Sequence, residues 1–164
     1  MFELGVLALD RALERGAFAG WELHGIGTVD RARRIDLGGG ASIALLPRAA
    51  QADYAGVLRD HDVGLALMYT PHPSLVPIEM ASAGLVTVTN TFENKTAGAL
   101  AAISPNLLAA EPSVDALAGA LCEAERRAAD HEARARGSAV RWSSDWDRSL
   151  DDDLMGRVIA FLRP

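Results

Sequence analysis

At 164 residues the chain is one ordinary domain, long enough to bury a real core. Apolar residues make up 49% and charged residues 23%, which sets aside a disordered chain. A formal net charge of −6 argues against a general nucleic-acid or anionic-membrane binder, since either needs a basic face.

Phe2, Val6, Leu9 and Leu13 recur at helical spacing, with Gly16 available as a stop. Trp21 to Gly27 reads as a strand ending in the turn Gly25-Ile26-Gly27, a weak signal for any site. The basic cluster Arg31, Arg33, Arg34 reads as a solvated face, and Gly38-Gly39-Gly40 as a flexible connection. Ser42 to Leu46 is a second strand, stopped by Pro47, and residues 50–60 form a helix with Tyr54, Val57 and Leu58 inward. Asp62 to Met68 is apolar nearly throughout, as in a parallel-sheet strand buried on both faces. A loop from Tyr69 to Ser74 follows, then a short helix through Ala83, stopped at Gly84.

Leu85 to Thr89 is a buried, β-branched strand, and Asn106 to Ala109 a last short one. Ser113 is a good N-cap for a helix carrying Val114, Leu117, Leu121 and Cys122 on one face and ending near Gly137. A final helix carries Trp146, Leu150, Leu154, Ile159 and Leu162, with Asp151-Asp152-Asp153 as a solvated face. Strands alternating with helices predict an α/β domain with a mainly parallel sheet. Cys122 stands alone, so no internal disulfide forms and a reducing compartment, the cytoplasm, is expected. No stretch has the length of a membrane-spanning helix, and no signal peptide is expected.

In open α/β sheets, ligands bind beyond the carboxyl ends of the strands, where helix N-termini aim backbone N–H groups. The richest such segment is Tyr69 to Met80. Pro71, Pro73 and Pro77 stiffen it, Ser74 can cap the following helix, and His72 is the one histidine placed to reach a ligand. Glu79, one turn further on, is placed to accept hydrogen bonds from ribose hydroxyls. The residues alone leave a second reading open, in which the prolines shape a tight loop and Glu79 favours the helix dipole. Asn90 could bond a sugar hydroxyl and Lys95 a phosphate, although an ordinary turn with an exposed lysine is the simpler reading. His24, His61, His72 and His131 have no metal-ligand spacing, and no Gly-x-Ser-x-Gly elbow is present.

Taken together, Tyr54…Leu58, Asp62 to Met68, Pro71-His72-Pro73-Ser74, Pro77-Ile78-Glu79-Met80-Ala81 with Gly84, and Val88-Thr89-Asn90 with Lys95 resemble GT-B glycosyltransferases. The nearest likeness is to bacterial rhamnosyltransferase-like enzymes of surface polysaccharide synthesis. It is strongest over 54–112 and fades at 28–41 and beyond 138. The resemblance implies a Rossmann-like C-terminal domain, here spanning 1–164, that binds a dTDP- or UDP-sugar as donor and needs no cofactor. Glu79 matches the glutamate that holds the donor ribose. His72, Pro73, Ser74, Leu75 and Val76 match the segment meeting diphosphate and sugar, and Leu46, Pro47 and Arg48 match the strand end lining the base pocket. Many relatives carry a second glutamate eight positions before the ribose glutamate; Pro71 stands there in this chain, which puts a carboxylate role at the sugar in doubt.

Family members open this domain with a strand and a basic loop before the helix that Phe2 to Leu13 resembles. That strand is expected to be absent here, as is the acceptor-binding N-terminal domain, so no catalytic residue is assigned. A missing central strand predicts a slot, filled from upstream or by self-association of copies. The implied partners are a nucleotide sugar and, through the missing half, a glycan acceptor, with the protein at most peripheral to the inner membrane. A non-catalytic nucleotide- or phosphate-binding module and a sugar-nucleotide epimerase-like enzyme are the alternatives; no acid/base pair converges in 69–80, which counts against the epimerase.

Overall fold

The computed structural model describes residues 1–27, 29–143 and 145–163. It is an α/β fold whose elements run α1 (Phe2–Glu14), β1 (Leu23–Ile26), β2 (Arg33–Asp36), β3 (Ser42–Leu46), α2 (Gln51–Arg59), β4 (Val63–Leu65), α3 (Leu75–Ser82) and β5 (Val86–Asn90). There follow α4 (Ala97–Ile103), β6 (Leu107–Ala110), α5 (Val114–Ala128), α6 (His131–Gly137), α7 (Trp146–Ser149) and α8 (Asp152–Leu162). The α/β class expected from the alternation holds, as does the Rossmann-like form that the resemblance implied.

The strands form two three-stranded sheets, in the orders β1-β3-β2 and β4-β5-β6. The second is wholly parallel, and β5 at its centre is buried at every position, as its β-branched run requires. In the first sheet β1 and β3 are parallel, but β2 pairs with β3 antiparallel. That strand was not expected. It carries Arg33 and Arg34 on an exposed edge, so those basic residues belong to a strand rather than a loop or helix. Gly38-Gly39-Gly40 is not a slack connection either. It is an ordered 3-10 turn whose Gly38 N–H donates to the Asp10 carboxylate at 2.7 Å.

The main core lies between the second sheet and the pair α1 and α5. Ala8 and Ala12 of α1, Leu117, Ala118, Leu121 and Ala124 of α5, and Val86 and Val88 of β5 make one cluster with Phe18. Small residues on α1 allow close approach, and each large aliphatic side chain buried there contributes about 1.5–3 kcal/mol. Arg11 and Arg15 also reach Asp115 at 2.9 and 2.6 Å, but these groups are exposed and the ion pairs add little. The buried stripe of α1 is Gly5, Ala8 and Ala12. Phe2, which shares the helical spacing of Val6 and Leu9, is 58% exposed, and with them it lines the space between the two sheets.

Three further expectations need correction. β4 covers three residues rather than seven, and beyond it Ala66 and Leu67 are half-buried while Asp62 and Met68 are exposed, because one side of it is unpaired. The helix begun at Ser113, whose hydroxyl accepts from Ala116 N–H, stops at Ala128 instead of reaching Gly137. Asp130 then caps a separate α6. The last helix is two; the acidic run Asp151-Asp152-Asp153 is exposed as expected, and Asp151 is also the N-cap of α8, accepting from Leu154 N–H. α6 is pinned to the amino end of the second sheet by Arg134, which donates to Gly84 O at 2.9 Å and to the Asp62 carboxylate at 2.7 Å. Asn106 there donates to Ala81 O and Arg134 O.

Candidate functional site

The carboxyl end of β4 is held by side chains from the end of β5 and the turn after it. Asn90 is fully buried. Its Oδ1 accepts from Met68 N–H at 2.9 Å, and its Nδ2 donates to Met68 O and Thr91 O at 3.1 and 3.0 Å. Lys95 Nζ donates to the same Met68 carbonyl at 2.7 Å. Both residues were expected to face a ligand. Instead Asn90 spends its amide on the backbone, and Lys95, 3% exposed, is turned inward rather than standing free on a turn. Burial lowers the ammonium pKa of Lys95 below its ordinary value. A tight Phe92–Lys95 turn, with paired backbone bonds and Glu93 at φ 47°, aims the lysine back under the loop.

From Met68 the chain crosses to α3. Thr70 donates its hydroxyl proton to His72 O at 3.1 Å, and Ser74 N–H donates to His72 Nδ1 at 3.0 Å. The network therefore assigns the proton of neutral His72 to Nε2. Ser74 sits at the N-cap position with φ 69°, and its hydroxyl makes no cap bond, contrary to expectation. Among the described residues nothing accepts from the N–H groups of Leu75 and Val76 at the helix start, Pro77 has none, and the first turn carries no acidic residue. One turn on, the exposed Glu79 carboxylate has no hydrogen-bond or ion-pair partner among the described residues. The phenol of Tyr54 on α2 lies near it: burial first, and then the charge of Glu79, push that phenol above its ordinary range.

The open amides of Leu75 and Val76 and the Glu79 carboxylate thus share the start of one helix beyond the carboxyl end of the parallel sheet. Asn90 and Lys95 hold the backbone of Met68, at the start of the loop that leads to this helix. Leu46, Pro47 and Arg48 lie apart, at the carboxyl end of β3 in the other sheet, with Pro47 and Arg48 exposed. Aromatic neighbours were missed. Tyr69 and Phe92 pack with ring centroids 4.4 Å apart just past β4 and β5, and Trp142 meets the His72 ring edge-on at 6.2 Å. The position of Tyr69 directly after a buried strand was the available signal for the first pair. For Trp142, 70 residues from His72, there was none. Among the described residues no group of three or more His, Cys, Asp or Glu side chains is arranged to hold a metal ion.

Compared with known proteins, residues 1–122 match the family described as WsaF, C-terminal domain. The chain belongs to this family. It is a C-terminal domain of the GT-B glycosyltransferase kind, as the resemblance to rhamnosyltransferase-like enzymes implied. The WsaF-type match runs through residues 28–41, where the likeness had faded, and ends within α5. An O-antigen biosynthesis protein, RfbC, of Myxococcus xanthus is 32% identical over 125 residues, covering 75% of this chain and 9% of that protein. The chain therefore spans less than a tenth of that relative's length. No helix among the described residues is long and apolar enough to cross a membrane.

Proposed function

We propose that this WsaF-type domain binds the donor of a glycosyltransferase that moves a sugar from a nucleoside diphosphate to a glycan acceptor during polysaccharide synthesis. The donor is a dTDP- or UDP-sugar, with rhamnose the first sugar to test. The reading rests on one observation above the others: the unpartnered Glu79 carboxylate stands one turn inside a helix whose first amides are open. A carboxylate there accepts from the vicinal hydroxyls of a ribose, while two N–H groups at a helix start favour a phosphate oxygen without reorganising. The tilted Tyr69–Phe92 pair offers an apolar shelf beside them. Acceptor recognition and the catalytic base fall to another part of a longer protein, and residues 1–164 act as a single donor-binding unit without turnover of their own.

Titration calorimetry of the chain with dTDP, UDP and GDP tests this directly. Weak binding of dTDP or UDP, with no sugar released from the matching nucleotide sugar, is expected. Silence with all three at millimolar ligand overturns the donor-domain reading. Glu79→Ala is expected to weaken the binding by about 1–3 kcal/mol, roughly 5- to 150-fold, the usual cost of losing a charge-assisted hydrogen-bond partner. The thermal midpoint should stay put. A variant that unfolds while the parent is stable would make Glu79 a structural group.

A further inference from the structure

α8 stands off the body of the domain. Leu154 is its one half-buried residue, and the rest of Asp152–Leu162 is exposed. No hydrogen bond or ion pair among the described residues joins it to another element, and it supplies no residue to either buried cluster. It also lies beyond residue 122, where the match to the WsaF-type family ends, so that family does not account for it. A helix of 11 residues is marginal in water when it packs on nothing, and Gly156 in its middle weakens it further.

The residues of α8 sort by character around its axis. At about 100° per residue, Leu154, Met155, Val158, Ile159, Phe161 and Leu162 fall within one arc of about 160°, with no charged residue among them. Phe161 and Leu162 are 88% and 70% exposed. Asp152, Asp153, Arg157 and Arg163 take the other side, with the acids at the start and Arg163 just past the end. This charge distribution decides what covers the apolar face. Two copies of α8 set side by side in parallel would bring their Asp151-Asp152-Asp153 runs together, and their macrodipoles would repel. An antiparallel pair centred near Val158 sets Leu154 against the partner's Leu162. Asp152 and Arg163 lie about three turns apart on one flank of the apolar arc. Antiparallel packing brings like flanks together, so each Arg163 reaches the acidic start of the other helix and the attraction occurs twice. A lipid surface fits less well, because helices that lie on membranes carry a basic polar face and this one has three acids against two arginines.

We propose that the apolar face of α8 is a self-association surface, at which two copies of this chain pair their α8 helices antiparallel about a twofold axis. One patch serves both copies, and the acidic start of each helix receives the basic end of the other. A single short helix per copy falls below the ~800 Å² per partner of a standard interface, so the dimer is a weak one that forms and parts with concentration. The surface shares no residue with Glu79 and the open amides of α3, and this inference does not depend on what they bind.

Sedimentation equilibrium of the 164-residue chain from about 1 to about 500 µM should show a monomer passing into a dimer. Val158→Asp places a charge at the centre of the apolar arc and should weaken self-association by about tenfold or more. Its thermal midpoint at the lowest concentration should match that of the parent, since α8 adds nothing to the core. Cysteine pairing reads the direction. Under oxidation a chain carrying both Leu154→Cys and Leu162→Cys should form a covalent dimer, while each single variant, like the parent with its Cys122, should not. A chain that stays monomeric throughout overturns the proposal, and binding of that monomer to neutral lipid vesicles would make a membrane the occupant. So would a dimer indifferent to Val158→Asp, or a lowered midpoint in that variant, which would pack α8 on its own domain. A covalent dimer from either single variant, or none from the double, overturns it equally.

Discussion

Asn90→Ala is expected to lower the stability of the domain by about 3 kcal/mol and to free the loop that follows β4. The side chain is wholly buried and makes three hydrogen bonds to backbone atoms, two of them to the N–H and carbonyl of Met68. Alanine leaves the part-buried Met68 N–H without its acceptor, at about 1–3 kcal/mol, and vacates space in a fully buried position as well. The Met68 carbonyl keeps Lys95, which limits the damage. Urea unfolding reads the loss, and nucleotide titration of the folded fraction should show weaker binding because the path into α3 is no longer fixed. A loss below about 1 kcal/mol would mean that Lys95 alone holds Met68, contrary to the clasp described here.

Leu117→Ala should cost about as much or more, roughly 2–5 kcal/mol, by a different mechanism. Leu117 has no exposure and lies where α5 meets α1 and the buried face of β5. Truncation removes transfer energy and leaves a cavity that Ala8 and Ala12 of α1 are too short to fill. For a domain of this length each kcal/mol lowers the thermal midpoint by about 2–4 °C, so calorimetry should show a drop near 10 °C. Glu79 lies on α3, which contributes no residue to this cluster, so nucleotide affinity at low temperature should change little. A variant that loses binding while still folded would tie α1 to the site.

The same contrast separates what the residues revealed from what they hid. α1, α3 with its stop at Gly84 (φ 92°), the β-branched β5 and the Ser113 cap were all legible, because each rests on neighbours a few positions apart. The place of Glu79 on α3, one helical turn after a proline-stiffened loop, was legible for the same reason. β2 was not, because Arg33-Arg34-Ile35-Asp36 has a single apolar residue and is held to β3 by backbone pairing and an exposed Arg34–Ser42 hydrogen bond. α4 was missed too: its alanine-rich run buries only Leu100, and its Thr96 cap stands in what read as a turn. The inward turn of Asn90 and Lys95 depends on Met68, 22 and 27 residues away, and no local pattern encodes such a bond.

By itself, then, the sequence determined the α/β class and the order of most elements, and it singled out Tyr69 to Met80 as the candidate segment for a ligand. Periodicity, caps and strand composition are short-range properties, and they survive whatever the chain packs against. Only the tertiary structure decided that the strands divide into two sheets, that β1 and β4 keep open edges, and which polar groups face outward. Strand pairing and the burial of a polar side chain are settled by partners distant in the chain. A buried amide or ammonium must find those partners or stay in water.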